Sequence, residues 1–374
     1  MESPTNRPNQ SPASDRVRVL RDSLKEHNLD CLLVSSRENV RYLLGFTGSS
    51  GWAVISENDT VLMTDSRYVE QAEAQLQSGK VCLATGGLVD SIAHHVGEKG
   101  FKSIGFEPDI LSFASVRSIE SSLRQSARGC QAIAAEGLVE SLRVVKDDME
   151  VALIQDAAVL ADGVFSHVCS IVRPGMSERE LAWRIERWLR ENGSGAVPFS
   201  IIVASGPNAA LPHAEPGERT FGEGEPILMD LGATVGGYCS DMTRTLFLGE
   251  PCGDFADVYH TVLEAQQRAI AGIRADMRAA DADELARSVI RAAGFESAFG
   301  HGLGHGVGLQ IHERPTVSPR SGDALVNGMV FSVEPGIYLP ERGGVRIEDT
   351  VVLRDGVAVP LTLSDKADPV VQLP

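Results

Sequence analysis

No two of the six cysteines (Cys31, Cys82, Cys130, Cys169, Cys239, Cys252) stand in a CxxC spacing. That scatter excludes a zinc ribbon or a disulfide framework and suits a reducing cytoplasm. No run approaches the about 18 apolar residues needed to cross a bilayer core, so no membrane span is expected. The first fourteen residues, MESPTNRPNQSPAS, lack an apolar h-region and read as a disordered lead over 1–14, not a signal peptide. Basic residues are in deficit: 34 Lys and Arg against 51 Asp and Glu give a net charge of -17. This argues against nucleic acid or an anionic membrane as partner. A GxSxG elbow is missing, and no cysteine has a neighbouring histidine motif, so covalent catalysis has no support. The glycine runs GFTGSSG and HGLGHGVG are followed by neither Lys-Ser/Thr nor a dinucleotide fingerprint, which weighs against nucleotide binding.

With 374 residues, two domains are the natural expectation. Over 15–143 short apolar runs alternate with helical stretches. Residues 31–34 predict a buried strand, 52–55 and 61–64 a hairpin through Asn58-Asp59, 66–77 a helix and 104–106 another strand. This half has no catalytic cluster of its own. Near Lys146 a second domain begins, spanning 144–374. Asp147 or Asp148 can cap its first helix, whose apolar face runs Ile154, Ala158, Ala161, Phe165, Val168.

That second domain repeats itself at an offset of 104 residues. Ile154, Ala158 and Ala161 recur as Val258, Val262 and Ala265. The capping box Ser177-x-x-Glu180 recurs as Asp281-x-x-Glu284, and the strand ending Asp230-Leu-Gly232 recurs as Glu334-Pro-Gly336. One offset aligning two helices and a strand points to a duplicated unit with pseudo-twofold symmetry. The order helix, helix, strands implies an α+β arrangement of helices over a curved antiparallel sheet.

Asp230 and Asp241 flank the turn-rich GATVGGYCS, and Glu334 and Glu348 flank GIYLPERGGVRI. Each pair is expected on a hairpin. A lone Asp at a strand end is commonly a turn cap, but four carboxylates in repeat-related places argue for one shared centre. Buried carboxylates need compensation. Hard oxygen ligands with one nitrogen, from His305, suit two divalent ions such as Mn²⁺, with Co²⁺ or Zn²⁺ also able to occupy the site. Two adjacent ions suggest hydrolysis by a bridging hydroxide. His305 lies in His301-Gly-Leu-Gly-His305-Gly-Val-Gly308, whose glycines allow close backbone approach and unusual φ. His312 follows beyond an expected short strand at 307–311, and His213 follows the loop SGPNAALP. Both can donate to a tetrahedral oxyanion, or be ordinary surface histidines. Arg346, two residues from Glu348 on the same strand face, can anchor substrate or pair with a ligand carboxylate.

The runs IIVASGPNAALPH, MDLGATVGGYCSDMTRT, HGLGHGVGLQIHERP, EPGIY and GGVRIEDT resemble the proline-specific metallopeptidases of the pita-bread fold, the Xaa-Pro dipeptidases (prolidases) and Xaa-Pro aminopeptidases. NVRYLLGFTGSSGWAVISENDTVLMTDSRYVEQA resembles their creatinase-like N-terminal domain. The resemblance implies that Asp230 and Asp241 bind one metal, that His305 and Glu334 bind the other, and that Asp241 and Glu348 bridge them. It implies Glu334 as general base, His213 and His312 as groups stabilising the tetrahedral intermediate, and His301 as a pocket residue. It implies a substrate with proline at the second position, and a homodimer. Some prolidases of this kind have an arginine just after the His-Glu-x-Pro run. This chain has Thr316 there, with Arg314 and Arg320 nearby, which leaves dipeptidase and aminopeptidase activity both open. The alternatives are a dimetal hydrolase of other small peptides or amides, and a binding module with a structural metal site.

Overall fold

In the computed structural model, residues 12–372 are described. The chain divides between Arg143 and Val144 into two units.

The first unit is built on six strands: β1 (Cys31–Val34), β2 (Trp52–Ser56), β3 (Thr60–Thr64), β4 (Lys80–Leu83), β5 (Ser103–Phe106) and β6 (Gln131–Ala134). They lie in the order β4-β3-β2-β1-β5-β6. The run CLLV of β1 is buried throughout, as a central strand requires. It pairs antiparallel with β2 and parallel with β5. The helices are α1 (Pro12–Glu26), α2 (Arg37–Leu44), α3 (Val69–Gln75), α4 (Leu88–Lys99), α5 (Phe113–Ser126) and α6 (Glu140–Arg143). The hairpin expected at 52–64 is present. The helix expected over 66–77 is shorter, because Asp65 turns the chain first: Arg67 N donates to its Oδ1 at 3.0 Å and Tyr68 N to its carbonyl at 3.0 Å. Helix α1 already includes residues 12–14 of the expected lead. Residues 1–11 of that lead lie outside the described residues.

The second unit opens with α7 (Asp148–Ile171), started by a reciprocal cap in which Glu150 N donates to Asp147 and Asp147 N donates to Glu150. Ile154, Ala158, Ala161 and Val168 of its expected apolar face are buried. Then come α8 (Glu178–Glu191), β7 (Ile202–Ser205), β8 (Pro226–Leu231), β9 (Thr234–Val235), β10 (Tyr238–Cys239) and β11 (Met242–Leu248). The order repeats with α9 (Phe255–Gly272), α10 (Ala279–Ala292), β12 (Gly304–Gly306), β13 (Glu313–Val317), β14 (Val330–Val333), β15 (Gly336–Leu339), β16 (Gly343–Arg346), β17 (Asp349–Arg354) and β18 (Val357–Pro360). A last short strand, β19 (Val370–Val371), pairs parallel to β11.

Each helix pair covers its own strands. Ala161, Leu181 and Ile185 share a core with Val203, Met229 and Leu246. Val258, Val262, Ala286 and Ile290 share one with Phe331 and Val351. The strands form a four-stranded ladder, β19-β11-β8-β7, and a five-stranded one, β13-β12-β14-β17-β18, beside two small hairpins, β9 with β10 and β15 with β16.

Two local expectations are corrected. Asp281 does not cap α10. That helix starts earlier, with Arg278 at the cap position, and Asp281 in the first turn takes a hydrogen bond from Arg278 Nε at 2.9 Å. Residues 307–311 form bends, not a strand, although four of the five are buried or apolar.

Candidate metal centre

The two halves are stitched together where their ligand-bearing strands meet. Glu348 N donates to Thr243 O at 3.0 Å, and Thr243 Oγ1 donates to Glu348 Oε2 at 2.7 Å. Asp241 N donates to Thr350 Oγ1 at 3.2 Å, and that hydroxyl donates back to Asp241 O at 2.8 Å. Asp230 sits inside β8, paired with Thr243 of β11, while Asp241 immediately precedes β11. In the second half Glu334 follows β14 and Glu348 precedes β17, whose ends pair Val333 with Asp349. Four carboxylates thus reach one place from two crossing pairs of strands.

His305 enters on β12 because the backbone around it packs too tightly for side chains. A Cβ on Gly304 would run into the Ser332 carbonyl, and one on Gly306 into that of Arg314. None of the glycines of the HGLGHGVG segment has a positive φ, so close approach, not unusual backbone conformation, accounts for them. Ser332 Oγ accepts from His305 N at 3.1 Å and donates to Glu334 Oε1 at 3.1 Å, which registers the two side chains. His305 Nδ1 faces Gly306 O at 3.1 Å and so must carry the proton, leaving the Nε2 lone pair for a ligand. That atom is 3.6 Å from Asp241 Oδ2 and 3.4 Å from Glu334 Oε1.

Asp241, His305 and Glu348 offer ligand atoms that all lie within 4.8 Å of one another. Asp230 and Glu334 line the same cavity. Asp230 is turned partly aside, with Oδ2 accepting from Arg346 Nη2 at 2.6 Å. Asp230 Oδ1, Asp241 Oδ1 and Glu348 Oε1 are buried with no hydrogen-bond partner. An unpartnered buried acceptor costs about 1–3 kcal/mol, and more when charged. Burial and the charges of Glu348, Asp230 and Glu334 push the Asp241 carboxyl well up. Burial, with Glu334 and Asp230, does the same to Glu348. Burial raises Glu334 to about 7 and lowers His305 to about 4, so the imidazole stays neutral as a ligand must. Orphaned carboxylate oxygens converging with one neutral imidazole nitrogen fit divalent cations.

The cluster opens into a cavity of about 860 Å³ lined also by His213, His301, His312, Phe199, Ile202 and Thr316. The His312 ring stands 4.2 Å from that of His305. His301 Nε2 meets Tyr338 Oη at 2.9 Å. Arg346 does not present a free guanidinium to substrate. Nε donates to Thr243 Oγ1 at 3.0 Å, Nη1 to Tyr338 Oη at 2.8 Å and Pro212 O at 3.3 Å, and Nη2 to Asp230. Of the two roles expected of it, the structure shows the pairing with a carboxylate, Asp230, and leaves no nitrogen free to anchor substrate. Of Arg314, Arg320 and Arg346, only Arg346 lines the cavity among the described residues.

Thr243, Ser332, Tyr338 and Thr350 are the participants that sequence reading missed. Each is a hydroxyl within a strand, and strand hydroxyls are too common to signal a site. The one available hint was that all of them stand within four residues of a candidate carboxylate.

Residues 152–355 match metallopeptidase family M24, and residues 16–145 match the creatinase/prolidase N-terminal domain. The chain therefore belongs to metallopeptidase family M24. It is 37% identical to an uncharacterized peptidase of Bacillus subtilis, over 94% of this chain and 98% of the relative. Among solved structures it resembles an Xaa-Pro dipeptidase from Bacillus anthracis, at 39% identity and a TM-score of 0.92, covering 96% of this chain and 99% of that one. It also resembles an X-Pro aminopeptidase from Thermotoga maritima, at 36% identity and a TM-score of 0.86, covering 93% and 99%. The helix-over-sheet second unit is the pita-bread domain of this family, and the first unit is its creatinase-like domain.

Proposed function

We propose that this chain hydrolyses the Xaa-Pro bond at the N-terminus of short peptides, with the second domain, 144–374, as the catalytic one. The observation that carries this reading is the convergence of Asp241, His305 and Glu348 within 4.8 Å, beside buried carboxylate oxygens that have no protein partner. Asp230, Asp241, His305, Glu334 and Glu348 hold two divalent ions, Mn²⁺ being well suited to an oxygen-rich site with one nitrogen. When bound, such ions polarise the scissile carbonyl and lower the pKa of water.

The chain's own groups do the rest. Glu334 takes the proton of the attacking water as general base. The amide nitrogen leaves only after gaining a proton, which the Glu334 carboxyl returns. His213 and His312, both on the cavity wall, donate towards the oxyanion of the tetrahedral intermediate. His301, paired with Tyr338, shapes the pocket beside them. Arg346, by gripping one oxygen of Asp230, aims the other at the cluster.

Peptides that continue beyond the proline fit this cavity better than dipeptides. Arg346 is the lining arginine among the described residues, and each of its nitrogens is engaged, which leaves it no free donor for a dipeptide's carboxylate. Six free cysteines support a cytoplasmic setting. A homodimer is the assembly we propose, and sedimentation at the 40.0 kDa chain mass would refute it.

The test is turnover of an Xaa-Pro peptide and its Xaa-Ala counterpart by chelator-stripped, Mn²⁺-reloaded protein. Cleavage of the proline peptide alone is expected. Equal cleavage of both removes the proline preference, and cleavage of neither removes the peptidase reading.

A further inference from the structure

Glu178 is the first residue of α8 and has no exposed surface. A buried carboxylate is costly unless hydrogen bonds compensate it. Here they come from one stretch of chain. Ser205 N and Ser205 Oγ each donate to Oε1 at 2.8 Å, and Gly217 N donates to Oε2 at 3.1 Å. Asn208 Nδ2 reaches Oε1 at 3.1 Å and Oε2 at 3.2 Å. The helix does not need Glu178 as its cap, because Ser177 Oγ already accepts from Glu180 N.

Ser205 and Gly217 are the two ends of a loop, and Asn208 lies within it. The loop holds a 3-10 turn, Gly206–Ala210, and then carries His213 to the cavity. Beside His213, the Pro212 carbonyl accepts from Arg346 Nη1 at 3.3 Å, and Arg346 holds Asp230. His213 is exposed and lines the cavity, so the backbone of this loop bears on its placement. The second half has a comparable anchor. Asp283 on α10 accepts from Leu303 N at 2.9 Å and pairs with Arg287, which donates to His301 O at 2.7 Å.

We propose that Glu178 is a positioning residue for the reaction. By pinning both ends of the 205–217 loop to one carboxylate, it sets where His213 stands over the scissile bond. This rests on the hydrolytic role given to His213 above.

Glu178→Gln separates positioning from mere stability. The amide keeps an acceptor for Ser205 but turns an NH₂ towards donors on the loop. Misplacement of a reacting group by about 1 Å can cost on the order of a hundredfold, so kcat on an Xaa-Pro peptide should fall about tenfold or more. In a His213→Ala background the same change should cost less than about twofold, because groups that act together are not additive. An equal fold-loss in both backgrounds would overturn the proposal. Amide hydrogen exchange supplies a readout independent of turnover. Exchange should quicken over 206–217 and stay unchanged on α7 and α9, whereas unchanged protection of the loop would overturn the proposal as well. If the wild-type protein cuts no Xaa-Pro peptide, the functional reading fails, and the exchange result alone decides whether Glu178 holds the loop. Should Glu178→Gln not fold, Asn208→Ala removes loop-side bonds to the same carboxylate and must show the same coupling to His213.

Discussion

Arg346 Nη2 donates to Asp230 Oδ2 at 2.6 Å, and the arginine side chain is 3% exposed. One oxygen of the aspartate is thereby committed, and the other is left buried and without a partner. Replacing Arg346 by Met should lower both metal affinity and stability. Removing one member of a buried pair typically costs about 3–5 kcal/mol. Arg346→Lys should recover little, since a single ammonium cannot reach Thr243, Tyr338, Pro212 and Asp230 together. Metal stoichiometry and the thermal midpoint check this, and a wild-type midpoint in Arg346→Met would refute it.

Stripping the metal should destabilise the second unit more than the first. Four carboxylates around one imidazole repel one another, and divalent cations relieve that repulsion. Saturation at a hundred times Kd adds about 2.7 kcal/mol by mass action. The expected result is a chelator-induced fall in thermal midpoint, reversed by Mn²⁺ and absent from the Asp241→Asn variant.

Glu334→Gln should leave the fold intact and lower turnover by about 10²–10⁴, the usual range for a lost general acid–base group. Near wild-type kcat would refute the general-base role. His305→Ala should lower metal content as well as rate, and retention of two ions per chain would remove His305 from the ligand set.

An Xaa-Pro dipeptide should be cut more slowly than the same sequence extended by two residues, and amidating the dipeptide should recover part of the difference. Faster cleavage of the free dipeptide would mean that a cation reaches its carboxylate after all.

In the first unit, Asp59 lies 2.9 Å from Lys99 Nζ and 3.3 Å from Lys80 Nζ. Partial burial raises its carboxyl pKa, but the hydrogen bonds from the two lysines outweigh that and hold it below the usual value. A folded-state pKa below the unfolded one stabilises above the unfolded pKa and is lost as pH falls through the folded one. Asp59→Asn should therefore destabilise the protein at neutral pH, by no more than about 1 kcal/mol because both partner lysines are exposed. The difference from wild type should shrink in acid. A difference that stays constant from neutral pH down through the whole acid range would rule the pair out.

Sequence reading located the cluster because metal ligation leaves a mark in residue type. Asp230, Asp241, Glu334 and Glu348 recur at repeat-related places among glycines and apolar residues, where a charge has no other reason to be. Strands β1, β2 and β3 were legible for a similar reason, since their apolar runs are bounded by turn residues. Asp281 misled because Asp-x-x-Glu predicts a cap only if the chain is not already helical. Here the helix already begins at Ala279, with Arg278 at the cap position three residues upstream of Asp281. Residues 307–311 have a strand's composition, but the chain turns on itself there, Gly308 N donating to Gln310 O at 3.0 Å.

By itself, then, the sequence determined the two-part organisation, the repeat, and which five side chains line the candidate metal centre. These follow from local chemistry: apolar period, turn residues, and the cost of burying charge. Tertiary structure alone decided what each ligand leans on. Thr243 meets Glu348 from 105 positions away, Arg346 reaches Asp230 across 116, and Glu178 gathers donors 27 to 39 residues downstream. Hydrogen bonds of such span depend on how strands cross, and a side chain's partner across a crossing leaves no periodic trace in the chain.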